Sequence, residues 1–160
     1  MELLIGKRQK FNVVCDEWLE YKKMRIKEST YANYKLKITN YLKKDFGERN
    51  LREIANINLN RYVEELQFKL SSKTVKDTIT VLKSILKYAE RKYNMDFKLD
   101  LVSTPITTTK EAEVFNERER KKMEEYILDS DNIRDLGILI SMYTGLRIGE
   151  VCALKWSDID

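Results

Sequence analysis

Between Val75 and Tyr93 the apolar side chains Val75, Ile79, Leu82, Ile85, Leu86, Ala89 and Tyr93 recur in steps of three, four or one. That spacing puts all seven on one side of a helix sustained over five turns. A stripe of this length must be covered, and what covers it decides the fold class. The chain has one proline and five glycines, too few to punctuate a set of short strands, so helices are expected. Phe11, Val14, Cys15, Trp18 and Leu19 predict a helix near 10–25. Tyr31, Tyr34, Ile38, Tyr41 and Leu42 predict a second near 30–44, capped by Ser29 or Thr30 and ended by Gly47. Leu59, Tyr62, Val63, Leu66 and Leu70 predict a third near 57–70. The long stripe is the fourth, near 73–93, capped by Ser71 or Ser72. Four amphipathic helices with short polar joints make a small bundle.

The pattern breaks at 94–111. Leu101-Val-Ser-Thr-Pro-Ile-Thr-Thr-Thr109 has β-branched residues, a proline and no helical stripe, and reads as an extended linker. Glu113-Val-Phe-Asn116 reads as a short extended piece, and Asn116 with Glu119 as a capping box opening a helix near 117–129. Asp131 or Asn132 opens another near 132–144, apolar nearly all round through Leu136-Gly-Ile-Leu-Ile-Ser-Met-Tyr143. Such a helix belongs at the centre of a larger core. The end, Leu154-Lys-Trp-Ser-Asp-Ile-Asp160, reads as a turn into a strand. Residues 112–160 bury too little to fold stably alone, and the expectation is a second domain cut short and less stable than residues 10–93.

Charge is unevenly spread. Residues 1–100 hold 22 Lys/Arg against 14 Asp/Glu, whereas 101–160 hold 8 against 12. A basic first part points toward a polyanion, or describes the solvated surface of a lysine-rich helical protein. No apolar run approaches the roughly 20 residues of a membrane span, and the N-terminus lacks a signal-peptide core. A cytoplasmic protein without membrane association is expected. Cys15 and Cys152 have no metal-ligand or redox spacing and read as small buried hydrophobes.

Chemistry concentrates in Thr144-Gly-Leu-Arg-Ile-Gly-Glu150. Arg147 offers a permanently charged planar fork to a phosphate, and Glu150, one helical turn on, can orient it. An arginine held this way stabilises charge developing on a phosphate during transfer. On spacing alone an arginine in a helix–turn–helix linker, paired with Glu150 on the surface, fits as well. Two helix starts carry hydroxyls and lysines suited to phosphates: Ser29 and Thr30 with Lys27 and Lys35, and Ser72 and Thr74 with Lys73 and Lys76. Lys83 lies two turns beyond Lys76 on the same face. Read singly, these lysines are solvated surface and the hydroxyls are caps.

The run Thr144 to Asp160 resembles the first catalytic box of the tyrosine recombinases (phage integrase family). Glu113-Val-Phe and the long apolar helix resemble the approach to it. Upstream, Ser29-Thr-Tyr-Ala-Asn-Tyr-Lys35, Leu70-Ser-Ser-Lys-Thr-Val-Lys76 and Leu82-Lys-Ser-Ile-Leu-Lys-Tyr-Ala89 resemble the family's core-binding domain. The resemblance implies a mainly α chain: a four-helix SAM-like core-binding bundle over 1–98, a linker over 99–111, and over 112–160 the truncated, mostly helical start of a catalytic domain. It implies double-stranded DNA as partner, no metal or other cofactor, and DNA strand exchange through a phosphotyrosyl link by a tetramer. Arg147 matches the first catalytic arginine and Glu150 the acidic position supporting it. The family's lysine, His-x-x-Arg box and nucleophilic tyrosine follow this box, and the sequence contains no histidine. These residues are therefore expected to bind DNA without turnover, as a monomer with an aggregation-prone apolar helix. The nine tyrosines are expected mostly in the core. The rival expectation is a helical protein-interaction module, or a regulator of an intact recombinase.

Overall fold

The computed structural model describes residues 8–107 and 112–158. The chain divides into two compact units, Met1–Thr109 and Lys110–Asp160. The first contains α1 (Phe11–Lys23), α2 (Glu28–Lys37), a wide π-type turn (Ile38–Leu42) leading into α3 (Lys43–Phe46), α4 (Leu51–Ala55), α5 (Leu59–Gln67) and α6 (Ser72–Tyr93). The second contains α7 (Glu117–Leu128), α8 (Ile133–Thr144) and α9 (Ile148–Val151). No strand occurs among the described residues; one isolated bridge joins Lys10 to Asn50.

In the first unit the long stripe is the core. Val75, Ile79, Leu82, Ile85, Leu86 and Ala89 of α6 are buried, and α1, α2, the π-type turn and α5 pack around them. Phe11, Val14, Cys15, Trp18 and Leu19 of α1 are buried on the facing side. The π-type turn has a sequence cause. Ile38, Leu42 and Phe46 all reach the core, yet steps of four in an α-helix drift about 40° each. The turn, in which the Lys43 N–H donates to the Ile38 carbonyl, rotates less per residue and brings the three back into line. Phe46 meets Phe11 and Tyr62 edge-on, with ring centroids 6.0 and 4.6 Å apart. The Tyr62 hydroxyl donates to Asp45 at 2.7 Å. Burial first, and that carboxylate second, push its ionisation far above the usual tyrosine range.

The four long helices of the bundle stand where the stripes predicted, with two local differences. The second helix begins before its expected cap. Lys27 is the residue before the helix, its side chain caps nothing, and Ser29 and Thr30 lie inside the first turn. Glu28 at the first helical position favours that start through the helix dipole. At α6, Ser71 is the cap and Ser72 the first helical residue; the Ser71 hydroxyl accepts from the Thr74 amide at 3.2 Å. Helix α4 was not anticipated. Asn50 and Glu53 form a reciprocal capping box, Glu53 N–H to Asn50 Oδ1 at 2.9 Å and Asn50 N–H to Glu53 Oε2 at 3.1 Å. Five residues are too few to show a helical period, so only the Asn-x-x-Glu spacing marked it.

The linker is shorter than expected. Asn94 ends α6 in the left-handed conformation, φ 49°, which asparagine tolerates. The chain then folds back: Phe97 and Val102 are buried, Asn60 donates to the Leu101 carbonyl at 2.9 Å, and Ser103 N–H donates to Asn60 Oδ1 at 2.9 Å. Residues 97–103 thus belong to the first unit. The expected linker residues 108–111 lie outside the described residues.

In the second unit, Asn116 and Glu119 form the expected capping box, at 3.0 and 2.9 Å. Asn132 opens α8, and Gly145, φ 72°, closes it in a conformation that costs glycine nothing. Helix α8, whose apolar pattern suits the centre of a larger core, leaves Ile133, Leu136, Ile138 and Tyr143 exposed, in keeping with the expected aggregation-prone helix, and Ile127 of α7 is the one buried hydrophobe of this unit among the described residues. Glu113-Val-Phe-Asn116 forms no ladder, and Trp156–Asp158 is a single 3-10 turn rather than the start of a strand. Asp158 explains the turn: it accepts from the Lys155 amide at 2.9 Å. A strand needs a partner for its backbone groups, and the described residues supply none.

The tyrosines fall largely as expected: of the nine, Tyr62 is buried and Tyr31, Tyr34, Tyr88 and Tyr93 pack half-buried against the core. One expectation about residue type is corrected. Cys15 is buried as expected, but Cys152 is exposed.

Leu86→Ala, at a position with no exposed surface, is expected to cost about 2–5 kcal/mol in denaturant unfolding, and native amide exchange is expected to be slower in 75–89 than in 133–144. Equal protection in both segments would contradict the packing described.

Burial pushes the Cys15 thiol from its ordinary 9.0 up to about 12. The unfolded chain therefore loses this proton first, so its contribution to stability is intact below pH 9.0 and lost as the pH rises toward 12. In iodoacetamide labelling of the native chain at neutral pH, Cys152 is expected to react and Cys15 only after unfolding.

Candidate nucleic-acid interface

The face of α6 opposite its buried stripe is polar and basic. Lys73, Lys76, Lys87 and Arg91 are exposed there, and Lys76 to Lys87 is three turns, in register to about 20°. At its N-terminal end Val75 N–H donates to the Ser71 carbonyl and Thr74 N–H to the Ser71 hydroxyl. The Ser72 and Lys73 amides open the helix, where N–H groups have no intrahelical partner and favour an anion. The hydroxyls expected there divide their work. Thr74 shares a hydrogen bond with Ser71 at 2.9 Å and is half-buried, so it belongs to the cap; Ser72 is exposed.

At the start of α2, Ser29 is exposed, Thr30 half-buried and Lys35 exposed one turn on. None of the three side chains makes a hydrogen bond or ion pair among the described residues. Lys83 stands apart. Its ammonium donates to the Val102 carbonyl at 2.5 Å, so it anchors the returning chain. Sequence spacing placed it correctly beside Lys76 but carried no sign of Val102, nineteen residues away.

A groove of about 480 Å³ between α1 and α6 escaped sequence reasoning. Trp18, Tyr21 and Tyr88 line it together with Lys22, Ser84 and three further cations, Lys87, Arg91 and Lys92. Tyr21 and Tyr88 lie 5.6 Å apart, and Trp18 meets Tyr34 of α2 at 5.3 Å. Lys22 stands over the Trp18 ring at 5.6 Å, and the Arg25 guanidinium over Tyr21 at 4.0 Å. Lys92 is paired with Glu17 at 2.8 Å, and that hydrogen bond raises its ionisation above the ordinary lysine range. The available signal was the continuation of the Lys76–Lys83 spacing by four to Lys87 and four more to Arg91. The contribution of α1 needed the fold.

In the second unit Thr144, Gly145 and Arg147 build a sharp joint. The Thr144 hydroxyl donates to the Ile140 carbonyl at 2.6 Å and accepts from the Leu146 amide at 3.2 Å. Arg147 then begins α9. Its N–H donates to Glu150 Oε2 at 2.8 Å, and its guanidinium lies 3.5 Å from Glu150 Oε1. Only half of a reciprocal cap forms, because a guanidinium cannot accept. Glu150 holds both the backbone and the head group of Arg147, whose side chain is 87% exposed. Among the described residues no cluster of three or more His, Cys, Asp or Glu is arranged to hold a metal ion, and no helix is long and apolar enough to cross a membrane.

Comparison with known proteins finds relatives of this chain. A family model described as the phage integrase N-terminal SAM-like domain matches residues 10–67, which span α1 to α5. The chain is 28% identical over 171 residues to the integrase of Staphylococcus phage L54a, covering 94% of this chain and 48% of that protein. It is 33% identical over 154 residues to a protein named tyrosine recombinase XerC-like from Caldanaerobacter subterraneus subsp. tengcongensis, covering 89% of this chain and 39% of that one. No solved structure gives a significant match. By these matches the chain belongs to the tyrosine recombinase/integrase family. It spans less than half the length of these relatives.

Lys83→Ala is expected to raise amide exchange at Val102 and Ser103 while leaving the salt dependence of duplex binding unchanged. A shallower salt slope in this variant would show that Lys83 contacts the ligand as well.

Proposed function

We propose that the first unit grips double-stranded DNA through phosphate contacts, within a protein that integrates or recombines DNA by strand exchange. The observation that carries this is the α6 N-terminus, where a serine-capped helix end and exposed Lys73 and Lys76 stand together at the start of a basic helix face. Free amides and two ammonium groups suit a phosphate more than a base edge, so binding is largely sequence-independent. Ser72 adds a hydroxyl to this end. Ser29, Thr30 and Lys35 on α2 supply a second set of contacts. Thr74 acts through the cap, and Lys83 through Val102.

Arg147 is the phosphate-holding arginine of the second unit, with Glu150 as its positioning residue. The acidic partner fixes the fork without neutralising its outer donors, which remain in solvent. In this reading the described residues contribute DNA binding, as a monomer in solution. Family membership supports duplex DNA over a protein partner, and the basic bias of the first unit points the same way.

Fluorescence anisotropy of a labelled duplex across a salt series tests the reading. Log affinity is expected to fall linearly with log salt, and Lys73→Ala/Lys76→Ala to lower the slope by about two. Absence of binding at low salt would reject it in favour of a protein-interaction module.

A further inference from the structure

We infer that the groove between α1 and α6 is a second phosphate-binding station on the same duplex, separate from the α6 N-terminus. This rests on the DNA-binding reading above and adds α1 to the interface.

The charge of the groove carries the inference. Four of its lining residues are cations and none is acidic, in a chain with 26 acidic residues against 30 basic ones. Only Lys92 is neutralised, by Glu17. Lys22, Lys87 and Arg91 form no ion pair among the described residues. Like charges gathered in a concavity repel unless an anion joins them. The aromatic lining of Trp18, Tyr21 and Tyr88 keeps water off one side and strengthens attraction to that anion.

The geometry selects a phosphate backbone. Lys87 and Arg91 stand one turn, about 6 Å, apart along the helix, so they present a row of charge rather than a point. The row continues the face that begins at Lys73, giving a basic ridge about 27 Å long. Just beyond Lys22 on α1, Arg25 is exposed and stacked on Tyr21 at 4.0 Å. Stacking holds its plane while leaving the donor edge open, which prepares a guanidinium for bidentate contact with a phosphate. Ser84 adds a neutral donor.

The test uses the full chain carrying Trp156→Phe, which leaves Trp18 as the single tryptophan and makes its emission a reporter of the groove. A 20-base-pair duplex is added across the salt series. Duplex is expected to change Trp18 emission, reversibly with salt. Lys87→Ala/Arg91→Ala is expected to lower the salt slope by about two, making affinity about tenfold less sensitive between about 50 and about 200 mM salt. Both side chains are exposed, so unfolding temperature should hold, and circular dichroism confirms the fold. If the parent binds and Lys73→Ala/Lys76→Ala lowers the slope, but the groove variant and Trp18 emission do not respond, the inference falls and the DNA reading stands. If the groove substitutions instead dissociate a self-associated species in sedimentation, the occupant is a second copy and the inference falls. If the parent does not bind duplex at low salt, both fall.

Discussion

Burial of one side of α6 organises the first unit. Val75, Ile79, Ile85, Leu86 and Ala89 retain no exposed surface, and each element that packs on them is held by the same requirement. The π-type turn lets Ile38, Leu42 and Phe46 share that core despite a spacing an ordinary helix would let drift. Residues 97–103 return to it because Phe97 and Val102 find burial there, and Asn60 and Lys83 satisfy the backbone groups that return would otherwise strand. A helix so fixed on one side is rigid on the other, which suits it to present charge.

The basic ridge is therefore a consequence of packing. The stripe fixes the rotation of α6, and that rotation decides which lysines face water. Two acidic groups near the ridge are directed elsewhere. Glu17 is taken by Lys92 and Tyr93, and Glu90 accepts from the Phe97 amide at 3.2 Å. Asp77 stays on the polar face beside Lys73 and Lys76, so the ridge keeps a net positive charge rather than a purely basic one.

The second unit is organised by local hydrogen bonds more than by burial. Capping at Asn116, Asn132 and Glu150, and the left-handed Gly145, define its helix ends, while the apolar side chains of α8 remain largely in water. Arg147 is consequently well placed by its backbone and by one carboxylate. A surface pair of this kind contributes at most about 1 kcal/mol, so its importance lies in orientation.

Helix existence, helix type and most caps were legible in the chain, because period, Asn-x-x-Glu spacing and the Gly145 stop depend on residues within one or two turns. The Arg147–Glu150 pair was legible for the same reason. The short α4 and the true start of α2 were not, since a five-residue helix shows no period and Ser29 and Thr30 suit a first turn as well as a cap. The bond from Lys83 to Val102 was not legible, because the two are distant in sequence. The α1–α6 groove was invisible because Tyr21 and Tyr88 become neighbours only through packing. The sequence by itself determined a helical bundle, its polar joints and an arginine held by a glutamate one turn away, all short-range effects of backbone geometry. Only the tertiary structure decided which cations stand free beside one another, because that depends on long-range burial fixing how each helix is rotated.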